Sequence, residues 1–320
     1  MEINFDSIYK WYCLNGKPNR GKVREMGNLP CSLPLLESLI PYFNKKSKPI
    51  AKPKVDTEGR SKDEVSIVVT SDWHIPFQDN EVLALFLDFL AEYQPDILVL
   101  NGNINDCTSF SSHPRLRDLA NTLRDGKEER EQWFCIAELL RLVLPDSRII
   151  YIGSQCHEGW INNWVQSSPI LVEDYNYTIP GWFKLDDFGI EYIDEVFDPI
   201  GTGDLLISHG TIARNKSGAS AMASIEMEGT STIVGHTHRL AQVYKTTSKD
   251  EVVGIEGGCL CQRTPWYHLK GKRLMMDWQQ GFVLVNIKDN SFSTQLVPII
   301  RDGKDKPYFW VGKERYGSRD

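Results

Sequence analysis

From Val65 onward the chain alternates short runs of β-branched and aliphatic residues with longer stretches whose apolar positions recur every three or four residues. Val65–Thr70 (VSIVVT), Ile97–Leu100 (ILVL) and Arg148–Ile152 (RIIYI) are too short for helices and read as buried strands. Residues 80–93 (NEVLALFLDFLAEY) carry helical spacing behind Asp79 or Asn80, either of which suits an N-cap. Residues 127–144 predict a second, longer helix. Further strands are expected at Asp204–Ser208, Thr232–Val234, Val252–Ile255, Gly281–Asn286 and Ser293–Pro298. With βαβ units first and strand-rich sequence later, the pattern predicts a mixed α/β layered sandwich over residues 65–300.

The first 64 residues follow a different rule. Residues 5–43 hold enough apolar positions for two or three short helices, punctuated by Pro30 and Pro34, and predict a small helical arm over 1–44. Residues 45–64 are almost without apolar content, place Lys45, Lys46, Lys48, Lys52 and Lys54 around Pro49 and Pro53, and read as a basic, solvated linker. Residues 301–320 are expected to be a polar, peripheral tail.

Charge sharpens this division. The net charge of -7 is the sum of +4 over residues 1–64 and -11 over residues 65–320. A uniformly basic nucleic-acid binder is excluded, although the Lys-rich stretch at 45–54 offers a nucleic-acid contact. At 41% hydrophobic and 25% charged residues the chain is globular rather than disordered. It has no run of about 18 apolar residues and no basic-then-apolar leader. Seven scattered cysteines do not form a secreted disulfide framework. The expectation is a cytoplasmic protein with no membrane partner.

Five segments hold the candidate chemistry, each directly after an expected strand: Asp72-Trp73-His74, Gly102-Asn103-Ile104-Asn105-Asp106, Gly153 to Glu158, Ser208-His209-Gly210, and Gly235-His236-Thr237-His238. Strand carboxyl ends converge on one edge of a sheet, so these segments can share one cleft. An Asp-x-His pair in extended chain sets a carboxylate and an imidazole on the same side, and Gly-His-Thr-His does the same for two imidazoles. Gly235 allows close backbone approach there.

In this order the motifs resemble those of the calcineurin-like metallophosphoesterases, whose signature runs Asp-x-His, Gly-Asp-x-x-Asp, Gly-Asn-His-Asp/Glu, a separate His, and Gly-His-x-His. The resemblance covers roughly residues 65–300. The stretches Gly257-Gly258-Cys259-Leu260-Cys261 and Trp278-Gln279-Gln280-Gly281-Phe282 look similar to phage and bacterial members. The resemblance implies an α/β/β/α sandwich of two mixed sheets flanked by helices, and two divalent metals about 3.5–4 Å apart. Asp72, His74 and His238 would take one metal, and His209 and His236 the other. A metal-bound hydroxide would attack phosphorus in a phosphomonoester or phosphodiester of a small molecule, nucleotide or nucleic acid. His157 would protonate the leaving oxygen, and Asp106 would orient that imidazole. Such a ligand set suits Mn, Zn, Fe or Ni.

The chain departs from that signature twice. The bridging aspartate falls at Asn103, which removes an anionic ligand between two mutually repelling dications. The asparagine ligand falls on Cys156, or on Gln155 if the loop shifts; a Cys156 thiolate would favour zinc or iron. Three readings follow: an active enzyme with a variant site, with one or two metals held; a catalytically silent module that binds a nucleotide, nucleic acid or protein; or an Asp-to-Asn replacement that traps a bound state.

Weaker candidates flank these motifs. Arg115 and Arg117 could grip a substrate phosphate, with His113 beside them. The loop at 211–221 offers Arg214 and Lys216 for the same task. Trp160, Trp164 and Trp182 could stack a base or form part of the core. Cys259 and Cys261, without a partner Cys-x-x-Cys, do not form a zinc knuckle.

Overall fold

The computed structural model describes residues 64–112, 126–167, 169–172, 174–248, 250–263, 276–301 and 306–317. The expected arm over 1–44, all of the linker but Glu64, and the Arg115, Arg117 and His113 candidates lie outside the described residues.

Two sheets form the centre of the fold. The first contains β1 (Glu64–Thr70), β2 (Ile97–Asn101), β3 (Arg148–Ile152), β4 (Ile190–Ile193), β10 (Gly281–Lys288) and β11 (Ser291–Pro298) in the order β11-β10-β1-β2-β3-β4. β1 to β4 run parallel, and β10 closes on β1 antiparallel, with Ile67 opposite Val285. The second contains β5 (Val196–Phe197), β6 (Leu205–Ser208), β7 (Ser231–Val234), β8 (Leu240–Thr246) and β9 (Glu251–Gly257) in the order β5-β6-β7-β9-β8, with β6, β7 and β9 parallel. Both sheets are mixed, as the sequence pattern predicts.

Because strand side chains alternate faces, each central strand serves two cores. Ile67, Val69, Val99, Ile150, Ile152, Val283 and Val285 point between the sheets and meet Ile207, Ile233 and Ile255 of the second. Val68, Leu98, Leu100, Ile149, Tyr151, Phe282 and Leu284 point the other way, onto the helices. That outer layer is α1 (Asn80–Tyr93) and α2 (Lys127–Val143). Asp79 caps α1 by accepting from the Glu81 and Val82 N–H groups, as expected. Phe86, Phe89 and Trp133 are fully buried in this layer; truncating one to alanine would cost about 3–5 kcal/mol.

Three elements were not legible from hydrophobic periodicity. α3 (Gly159–Gln166) and a short helix α4 (Ile179–Trp182) cross the segment 159–198. α5 (Ala219–Glu228) packs on β7, β8 and β9 through small residues. It sits so close that a Cβ on Gly254 would lie 2.7 Å from the Ala221 carbonyl. Small residues give this helix little apolar contrast, so it reads as loop. The polar tail is also corrected. Its described part forms a hairpin, β12 (Phe309–Val311) and β13 (Glu314–Tyr316). Phe309 is buried against Phe282 at 5.2 Å, and Tyr316 stands edge-on to Phe89 at 5.0 Å. No helix among the described residues is long and apolar enough to cross a membrane.

Candidate metal centre

The parallel strands deliver six loops to one edge: those after β1, β2, β3, β6, β7 and β9. Backbone hydrogen bonds stitch them together. The Asp72 N–H donates to the Gly102 carbonyl at 3.1 Å, and the His74 N–H to that of Asn103 at 2.9 Å. The Gly235 N–H reaches the His209 carbonyl at 3.0 Å, while the Leu260 and Cys261 N–H groups both reach that of Asp72 at 3.2 Å. Glu158 is the hub beneath. Its buried carboxylate accepts from the N–H groups of Asn103, Ile104 and Asn105, from the Tyr151 hydroxyl at 2.8 Å, and from the Ser154 hydroxyl.

The backbone here is held in unusual conformations. Asp72, His74, Asn103, His236 and His238 all have positive φ, between 48° and 69°. Non-glycine residues visit this left-handed region at about 1–2 kcal/mol each, and such outliers persist only where surrounding structure enforces them. Close approach adds to this. A Cβ on Gly235 would stand 2.8 Å from His209 Nδ1 and 3.0 Å from Asp72 Oδ2. One on Gly102 would stand 2.6 Å from the His209 ring.

On this scaffold the expected residues converge. Asp72 Oδ1 lies 3.2 Å from His238 Nε2, 3.7 Å from His74 Nε2 and 4.0 Å from His209 Nε2. Its Oδ2 accepts from the His236 N–H at 2.9 Å. Burial opposes ionisation of Asp72, yet His238 and His209 hold its carboxyl well below the usual range. His74 Nδ1 donates to Asp106 Oδ1 at 2.8 Å, and its Nε2 faces His238 Nε2 at 3.0 Å. Burial pushes the His74 imidazole down, but Asp106 and Asp72 overcome this and raise it to about 10. His209 is raised to about 9, with Asp72 again outweighing burial. His238 is lowered, by burial first. Protons on His74 and His209 therefore stand where cations would neutralise Asp72.

The residues fit a metal. His209 Nδ1–H donates to the Asn101 carbonyl at 2.8 Å, so Nε2 is the nitrogen that must give up its proton before a metal can bind there. That Nε2 is buried and has no hydrogen-bond partner. Ligand atoms of Asp72, His74 and His238 lie within 4.8 Å of one another, as do those of Cys156, His209 and His236. Buried Asp, His and Cys groups thus offer places for metal ions.

The choice between Gln155 and Cys156 is decided by direction. Gln155 reaches outward to Glu195 at 2.9 Å. Cys156 turns inward, with Sγ 3.1 Å from Asn103 Oδ1 and 3.6 Å from His236 Nδ1. Burial opposes its ionisation, but His209 and His236 draw the thiol down to about 4. Asn103 spans both groups, since its Nδ2 donates to Asp72 Oδ1 at 3.1 Å.

Asp106 differs from expectation. Its carboxylate serves His74, while its backbone carbonyl accepts from His157 Nδ1 at 2.7 Å; the carboxylate stands 3.5 Å from that nitrogen. His157 sits half-buried beneath Trp160, ring centroids 4.4 Å apart. Burial, and then the charge on His74, lower it to about 4. Arg214 is exposed, and its described hydrogen bonds run through its backbone to Ser220 and Arg239 rather than to these groups.

No family model matches the sequence. The gene 54 protein of Mycobacterium phage L5 is 28% identical over 245 residues, covering 73% of this chain and 93% of the phage protein. That of Mycobacterium phage D29 is 28% identical over 254 residues, with the same coverage. The chain is homologous to these phage proteins. Among solved structures, Vps29 of Chaetomium thermophilum aligns with a TM-score of 0.39 at 12% identity, over 80% of this chain and 96% of Vps29. Vacuolar protein sorting 29 of Cryptosporidium parvum gives 0.40 at 13% identity, over 80% and 99%. The fold is an α/β arrangement of two mixed sheets with helices packed on them, and the candidate centre lies where the loops after their parallel strands meet.

Two groups quoted in the sequence, Trp278 and Cys261, were given no place at the centre there. Trp278 packs on His238 with centroids 4.1 Å apart, and Cys261 Sγ lies 3.6 Å from His238 Nδ1. Both arrive through the sixth loop and the strand beside it, which no ligand motif marks. Trp164 and Trp182 pack with Phe110 and Tyr177, at 5.4 and 5.1 Å from Phe110; Trp182 belongs to the core margin, whereas Trp164 is exposed.

Proposed function

We propose that this protein is a metal-dependent phosphoesterase acting on a phosphomonoester or phosphodiester of a small molecule, nucleotide or nucleic acid. The observation that carries this is the convergence of Asp72, His74, His209, His236 and His238 around the unpartnered Nε2 of His209. Divalent ions held by these groups, as two Mn, Zn, Fe or Ni ions or one, would polarise a phosphoryl oxygen and supply a nucleophilic water near neutral pH.

The protein's own residues do the rest. Asp72 neutralises positive charge at the centre, and Asp106 locks His74 with its Nδ1 proton committed. His157 is neutral in the free protein, and its Nδ1 proton is committed to the Asp106 carbonyl. Its Nε2 is therefore the nitrogen that exchanges a proton. An incoming phosphate raises the imidazole's affinity for that proton, and the leaving oxygen takes it as the P–O bond breaks.

The neutral Asn103, whose amide N–H₂ occupies a lone pair of Asp72, favours a second reading in which the cleft binds a nucleotide or protein without turnover. Protein loaded with each of the four metals and offered aryl phosphates, aryl phosphodiesters and nucleic-acid ends separates the two. Turnover that is abolished in His157→Ala at unchanged metal content supports the enzyme. Nucleotide binding without turnover in every metal form supports the binding module.

A further inference from the structure

The two halves of the centre differ in donor chemistry. Asp72, His74 and His238 present one carboxylate and two imidazoles, whereas Cys156, His209 and His236 present one sulfur and two imidazoles. The geometry points to a soft-metal site at Cys156–His209–His236, selective for zinc or ferrous iron over magnesium and manganese.

Three observations carry this. First, His209 Nε2 is buried and forms no hydrogen bond, and because Nδ1 is committed to the Asn101 carbonyl, Nε2 is the nitrogen available to a metal. Second, Cys156 Sγ stands 3.6 Å from His236 Nδ1. Tetrahedral zinc, with a sulfur at about 2.3 Å and a nitrogen at about 2.0–2.1 Å, sets those atoms about 3.5–3.6 Å apart. The observed spacing matches one edge of such a site. Third, Asn103 is neutral, so within this half of the centre Cys156 alone can supply negative charge to a cation. Thiolate with imidazole selects zinc, cobalt or ferrous iron, while magnesium and manganese prefer oxygen donors. The two further thiols near the centre, Cys259 and Cys261, are fully buried on the far side of His238, with Cys261 3.6 Å from its Nδ1. They supply the natural control.

This rests on the metal centre and not on hydrolysis. The full-length protein is loaded with Co²⁺ and its near-ultraviolet thiolate-to-cobalt charge-transfer band recorded, beside zinc content by elemental analysis. The band is expected in the wild type and in Cys259→Ser/Cys261→Ser, and absent in Cys156→Ser with one equivalent of zinc lost. In the unaltered protein, zinc should protect Cys156 from alkylation at least tenfold, as read by peptide mass spectrometry, and magnesium should not. A band that survives Cys156→Ser, a band lost only with Cys259 and Cys261, no band at all, or equal protection by magnesium would each overturn the assignment. Hydrolysis without a band would overturn this site alone. A sulfur-ligated protein that hydrolyses nothing would overturn the phosphoesterase reading alone.

Discussion

Replacing Asn103 with aspartate tests how charge is balanced at this centre. The Asn103 amide donates to Asp72 Oδ1 at 3.1 Å; Asn103→Asp sets a second carboxylate oxygen at that distance from the first. Two unit charges 3.1 Å apart repel by about 5 kcal/mol at an effective dielectric constant of about 20. The variant can escape by protonating one carboxyl, which from an ordinary value near 3.9 costs about 4 kcal/mol at pH 7. Protonated His74 and His209 offset part of either cost. The metal-free variant should therefore lose about 2–4 kcal/mol at pH 7, a melting temperature lower by about 5–15 °C in a domain of this size. The loss should shrink as pH falls toward 5, because one carboxyl of the pair has a raised pKa and gains its proton there. A divalent ion between two carboxylates reverses the sign, so Mn²⁺ should raise the variant's melting temperature more than the wild type's, and phosphoester turnover should rise. Differential scanning fluorimetry in chelator and in Mn²⁺, at pH 5 and pH 7, reads all of this. A variant as stable as wild type in chelator at pH 7, and gaining no more from metal, would refute the placement of Asn103 against Asp72.

Three further outcomes follow from the same geometry. Gly235→Ala puts a Cβ 2.8 Å from His209 Nδ1; it should cost about 1–3 kcal/mol and lower metal content by elemental analysis, while a surface Gly229→Ala leaves metal content unchanged. Glu158→Ala strands three loop N–H groups and the Tyr151 hydroxyl, and should cost about 3 kcal/mol or more in chemical denaturation; Glu158→Gln should cost less. Metal affinity should rise with pH: His74, raised to about 10, and His209, raised to about 9, must each release a proton to bind. Titration calorimetry should then show affinity climbing between pH 6.5 and 9, with proton release; a flat profile would contradict the protonated state of these imidazoles. By the same linkage the metal-free protein has this stabilisation in full below pH 6.5 and loses it as pH rises through 9 and 10.

The division between what the chain's pattern revealed and what folding alone decided is physical. Short continuous apolar runs such as RIIYI encode burial on both faces, so the strands and the doubly covered sheet were legible in advance. Motifs placed directly after those strands were legible for the same reason: parallel strands end on one edge, and Asp72, His74, His209, His236 and His238 meet there. Local pattern could not say which atom faces which. Asp106 gives its carboxylate to His74 and only its backbone carbonyl to His157, because the loop after β2 is pinned by Glu158 from below. Cys156 rather than Gln155 turns inward because the β3 loop closes over the Ser154–Glu158 bond. α5 and the Phe309 hairpin escaped detection because their packing depends on a glycine, Gly254, and an aromatic cluster far away in sequence. Strand order, close approach and left-handed backbone at five non-glycine positions of the candidate centre are relations between distant segments. They exist only once the two sheets have closed on each other.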